Sequence, residues 1–183
     1  MTEGSDSLIT EELRGWIGRT TPMRPLELLT VADIRRYVEA TGDANPLWLD
    51  DEFARSMGYD GRPLPPILVG WVPFSIKEDK AGADIDPADL RRQLPLPKNY
   101  TNVRNAGAEF EWLQPAYLGE QLSFQMRILD IVARQGKAGL GIYVTREEQV
   151  LNPKKETVLV RRQTIVIFPE SKFSNDPKNE GSR

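Results

Sequence analysis

Asp43 is the side chain best placed in this sequence to do chemistry. It lies in Thr41-Gly42-Asp43-Ala44-Asn45-Pro46-Leu47-Trp48, where a carboxylate, an amide and an indole N–H fall close together. A carboxylate in such a turn can order a water molecule, and a neighbouring base can then take that water's proton. The usual base is missing, because the chain contains no histidine and no cysteine. Imidazole is the common general base near neutral pH and the commonest metal ligand, while thiolates supply nucleophiles, disulfides and zinc ligands. None of these is available, and no metal site is expected. An isolated carboxylate with a pKa of about 4 is a poor base for water. Trp48 can donate through its indole but cannot accept a proton at neutral pH. Asp43 therefore has two readings, a working acid or the Asx turn that commonly follows a glycine-capped helix.

Other chemical groupings are weaker. Glu109 and Glu111 share one face of a strand at i, i+2, as paired carboxylates do in acid–base work, but read more simply as solvated edge charges. Gly139-Leu140-Gly141 supplies two glycines of a dinucleotide-binding turn without the third glycine or the helix. Hydroxyl side chains have no histidine partner, so no triad is available. Trp16 and Trp112 read as structural aromatics.

The elements that must position these groups are helical first and extended later. Leu8 to Gly18 has the composition of a short helix closed by glycine. Thr30 with Asp33 forms a capping arrangement before Ile34, Tyr37 and Val38 at helical spacing, and Gly42 ends that helix. A second short helix is expected over 51–56, stopped by Gly58. The proline turn Arg62-Pro63-Leu64-Pro65-Pro66 leads into Ile67 to Ile76, apolar all round as a buried helix is, with Gly70 and Pro73 weakening it. Residues 80–105 form a long connection. Beyond it, Leu122, Phe124, Met126 and Ile128 alternate with polar neighbours, and two further segments alternate around Ile142 and Val160. With 107–113, and turns at Gln135-Gly136-Lys137 and Asn152-Pro153-Lys154, they predict one antiparallel sheet of at least four strands. The expected fold class is α+β, one domain over 8–169, with frayed ends at 1–7 and 170–183.

The octapeptide around Asp43 resembles the Gly-Asp-x-Asn-Pro-Leu-His signature of the MaoC-type (R)-specific enoyl-CoA hydratases. The likeness continues through Leu49-Asp50, Phe53-Ala54 and Gly58-Tyr59. Asn105-Ala106-Gly107-Ala108-Glu109-Phe110-Glu111-Trp112, Pro115, Gly119-Glu120 and Gly136-Lys137-Ala138-Gly139 extend it over roughly residues 8–168. The resemblance implies a hot-dog fold, a curved antiparallel sheet wrapped around a central helix. It implies reversible hydration of trans-2-enoyl thioesters, with CoA or an acyl carrier as the substrate's own handle and no other cofactor. In active members an Asp and a His hold one water, while a backbone N–H at the start of the central helix holds the thioester oxygen. Carried over, the acid is Asp43, with Asn45 supporting its loop, and the helix start falls at Pro66 and Ile67. The histidine position is Trp48. Trp48 and Trp71 are candidates to line an acyl tunnel, although packing is the simpler role for each taken alone. Arg134 and Lys137 are candidates to meet a CoA phosphate, although surface solubility explains them as well.

The departure at Trp48 decides the expected role. The chain reads as the histidine-lacking half of a hetero-oligomeric hydratase, paired with a MaoC-type subunit that keeps the Asp–His pair, or as a homodimer. A self-sufficient hydratase using Asp43 with a partner such as a tyrosine, and a non-catalytic acyl-CoA-binding protein, are the alternatives. A hydrophobic fraction of 39%, a charged fraction of 28% and a net charge of −3 describe an ordinary folded domain. Basic residues run no longer than the pairs Arg35-Arg36, Arg91-Arg92 and Arg161-Arg162. Nucleic acid is thus not expected as a partner. The start lacks a signal-peptide pattern and no apolar run approaches the ~20 residues of a membrane span, so a cytoplasmic setting is expected.

Overall fold

The alternating segments of the second half build the sheet that organises the molecule. A computed structural model describes residues 7–71 and 90–170. The expectations for 72–76, for 80–89 of the long connection and for nearly all of both chain ends lie outside the described residues. The rest of that connection is not all loop, because Leu90–Gln93 is helical and the strand expected at 107 already begins at Tyr100. Strands β2 (Tyr100–Trp112), β3 (Ser123–Gly136), β4 (Gly139–Leu151) and β5 (Thr157–Pro169) are long, and β1 (Arg24–Pro25) is a short edge. All neighbours are antiparallel, in the order β1-β3-β4-β5-β2. The period of two sorts the side chains as expected: Leu122, Phe124, Met126 and Ile128 are buried, whereas Arg127 is exposed. Asn152 makes the last hairpin turn, its Oδ1 accepting from the Lys154 and Glu156 amides at 2.9 and 3.0 Å.

The helices precede the sheet. They are α1 (Glu11–Arg14), α2 (Val31–Thr41), α3 (Pro46–Leu49), α4 (Asp51–Ser56), α5 (Pro66–Trp71) and, after the undescribed segment, α6 (Leu90–Gln93). The helix expected to reach Gly18 ends at Arg14 instead. Backbone pairing wins over helix there: Gly18, at φ 86°, donates to the Ile128 carbonyl at 2.8 Å, and Thr21 donates to that of Met126 at 2.8 Å. Around α2 the sequence signals hold. Thr30 and Asp33 form a capping box, and Gly42 takes the left-handed conformation at φ 73°. No helix among the described residues is long and apolar enough to cross a membrane.

The helix α5 sits against β5 and β2 because Gly70 allows it. A Cβ at Gly70 would stand 3.3 Å from Phe110 Cε1 and 3.6 Å from Leu159 Cδ2. Beneath this helix is a buried ionic row. Glu148 is 2% exposed and lies between Arg146, whose Nε is 3.0 Å from Oε1, and Arg161, which pairs with Oε2. Arg161 also donates to the Gly70 carbonyl at 3.4 Å, anchoring the C-terminal end of α5. Burial lowers both guanidinium pKa values to about 10, the nearby Arg146 charge adding to the effect at Arg161. Both remain cations at neutral pH.

Candidate functional site

The left-handed exit at Gly42 brings Asp43 back beside the helix it follows. Tyr37 on α2 donates its hydroxyl to Asp43 Oδ2 at 2.9 Å, and Trp48 on α3 donates Nε1–H to the same oxygen at 3.0 Å. Asn45 caps α3, accepting from the Leu47 amide at 3.0 Å, with Pro46 beginning the helix. The cap fixes where α3 starts, and so which way Trp48 faces. Hydrogen bonds from Trp48, then from Tyr37, hold the Asp43 carboxyl below its ordinary pKa, with the Asn45 backbone amide adding to them and burial opposing. Tyr37 is pushed the other way, first by burial and then by the carboxylate it faces. A carboxylate held ionised by several donors is a poor proton acceptor. A direct indole contact of 3.0 Å also leaves no room for a water between Asp43 and Trp48.

Trp48 turns its ring toward an open cavity of about 270 Å³. The walls come from α3, the proline turn, α5 and the end of β2, and include Trp48, Tyr59, Pro66, Val69, Trp112 and Gln114. The proline turn is pinned by backbone bonds from Leu64 to Ala116 at 2.8 Å and from Leu118 to Arg62 at 2.9 Å. Trp112 Nε1 donates to the Pro66 carbonyl at 3.1 Å and its ring stacks on Phe110 at 5.4 Å. That carbonyl is at the first residue of α5, so the indole fixes the helix start.

The structure thus brings together Asp43, Asn45, Trp48 and, across the cavity from α5, Pro66. Ile67 is 38% exposed and does not line the cavity. Trp71 ends α5, and its side chain lies outside the described residues. Trp16 is buried as a structural aromatic, but Trp112 is 44% exposed and lines the cavity as well as bracing α5. Tyr37, Tyr59 and Gln114 escaped the sequence reading, because no local spacing links them to Asp43 or to one another. Glu109 and Glu111 are exposed on the edge strand β2. Gly141 serves packing, since a Cβ there would meet Val166 Cγ2 at 2.7 Å and Phe168 Cε1 at 2.8 Å. Arg134 lies over the Tyr143 ring.

The model of the FAS1-like dehydratase domain region matches residues 16–161. The chain belongs to this MaoC-type dehydratase family. Among its relatives, a probable enoyl-CoA hydratase alpha subunit of Thermomonospora curvata is 28% identical over 88% of this chain and 52% of its own length. The chain therefore spans about half of that relative. A UPF0336 protein of Saccharopolyspora erythraea is 29% identical over 91% of this chain and 96% of its own length. Among solved structures, the ChsH1-ChsH2 complex from Mycobacterium tuberculosis contains a chain that superposes with a TM-score of 0.75 at 22% identity, covering 90% of this chain and 98% of that one. The fold is a hot-dog, α+β, as the resemblance implied.

Proposed function

We propose that this MaoC-type chain is the histidine-lacking, acyl-accommodating half of a hetero-oligomeric enoyl-thioester hydratase. The observation that carries the reading is the 3.0 Å bond from Trp48 to Asp43. It puts an indole where the family pattern has its base, and uses the carboxylate to hold that indole in place. The apolar, aromatic cavity beside it suits an acyl group rather than water activation. The partner inferred is a MaoC-type subunit with an intact Asp–His pair. Relatives called an alpha subunit and a two-protein complex support such a partner. The edge strand β2 supports it too: among the described residues it pairs with β5 alone, and its last residue Trp112 and the following Leu113 are 44% and 52% exposed. Addition of water is redox-neutral, so this reading calls for no cofactor beyond the CoA or carrier of the substrate. A cytoplasmic setting goes with it.

A second reading has one observation in its favour, the Tyr37 hydroxyl held 2.9 Å from Asp43. It makes the chain a self-sufficient hydratase with an atypical pair. Loss of enoyl-thioester absorbance, followed for this chain, the histidine-bearing partner and their mixture, separates the readings. The proposal expects little or no rate from this chain and a gain on mixing. Full activity from this chain by itself, abolished by Asp43→Asn, favours the second reading. No gain with any candidate partner leaves an acyl-CoA-binding protein.

A further inference from the structure

The cavity walls can be read for the hydrogen bonds they still have to give. Trp48 has committed its indole N–H to Asp43, Trp112 its own to the Pro66 carbonyl at 3.1 Å, and Gln114 one of its two amide N–H groups to the Thr157 carbonyl at 3.0 Å. Tyr59 differs. It lines the same cavity, is half-buried, and its hydroxyl has no protein partner among the described residues. Among the described residues, none that lines the cavity carries a charge. A phosphate or carboxylate would find no ionic partner on these walls, so they favour the uncharged part of a thioester substrate.

We propose that Tyr59 is a specificity-determining residue for the acyl group. The cavity takes the end of the acyl chain remote from the thioester. That end is bulky and apolar and carries one uncharged oxygen, a ketone or hydroxyl, which accepts a hydrogen bond from the Tyr59 hydroxyl. This assignment rests on the reading of the chain as the acyl-accommodating half. The physical basis is the asymmetry of buried polar groups: an oxygen entering an apolar pocket needs a partner, and the Tyr59 hydroxyl is a donor with no protein bond to give up among the described residues.

The test uses the complex of this chain with its histidine-bearing partner. Calorimetry compares 3-cyclohexylpropanoyl-CoA with 3-(4-oxocyclohexyl)propanoyl-CoA, which differ by the ring ketone. Wild-type complex should bind the ketone roughly three- to tenfold more tightly, and Tyr59→Phe should erase that preference without weakening the plain ring. With the matching trans-2-enoyl thioesters, the variant should raise KM for the ketone and leave kcat alone. Equal affinities in the wild type, or a preference that survives Tyr59→Phe, would overturn the assignment. A mixture that hydrates the enoyl thioesters while Tyr59→Phe changes nothing sinks only the role of Tyr59. If no mixture hydrates them, the subunit reading fails first. The same calorimetry on this chain by itself then decides Tyr59, and absence of a ketone preference overturns it.

Discussion

At the scale of single residues, a carboxylate that looks catalytic in sequence is occupied structurally. Asp43 accepts from Tyr37 and Trp48 through one oxygen. Its folded-state pKa lies below the ordinary 3.8. The stabilisation it contributes is therefore present in full above 3.8 and fades as the pH falls through the lower folded value. Thermal melts of the wild type and Asp43→Asn should differ most near neutral pH and converge in acid. A gap that widens as the pH falls would contradict the clamp. Gly141 makes a second test at this scale. Gly141→Ala would drive a methyl group against Val166 and Phe168, and urea unfolding should show a loss of about 1–3 kcal/mol.

At the scale of elements, the short helix α5 is held at both ends by side chains from the sheet. Trp112 bonds the Pro66 carbonyl at one end and Arg161 the Gly70 carbonyl at the other. Arg161 is in turn held by Glu148, which also pairs with Arg146. Removing the anion takes from two buried cations a counter-charge they share, a change typically costing about 3–5 kcal/mol. Glu148→Gln should lower stability by that order in denaturant titration, and the cavity wall formed by Pro66 and Val69 should loosen with it. Replacing the whole row by apolar residues of similar size should recover much of the loss. Failure to recover would mean that the ions do more than fill space.

At the scale of the whole molecule, the exposed edge of β2 and the open cavity at its end point the same way. A long edge strand with Phe110 and Trp112 at 36% and 44% exposure, followed by Leu113 at 52%, is a surface that calls for a partner. Light scattering at micromolar concentration is expected to show an oligomer, either of this chain or with the histidine-bearing subunit; monomer under both conditions would refute it. The rate prediction belongs here too. General acid–base help is worth about 100-fold to 10,000-fold, so hydration by this chain without a partner's histidine should fall short by that order.

Much of this was legible in the sequence. The alternation in Leu122 to Ile128 placed β3 and its buried face, and the Thr30–Asp33 pair and Gly42 bounded α2, because each signal lies within a few residues of the structure it dictates. The lack of histidine fixed what Asp43 could not do. Even the ionic row left a trace: Arg146 and Glu148 continue the even-numbered face of Ile142, Val144 and Val150, all buried. What the sequence could not set was which donors reach Asp43 and which side chains share the cavity. Tyr37 turns toward the carboxylate only because Gly42 reverses the chain. Tyr59, Pro66, Trp112 and Gln114 meet only where the proline turn docks on the end of β2. Such meetings depend on long-range packing and side-chain direction, which no local period encodes, and the tertiary structure alone decided them.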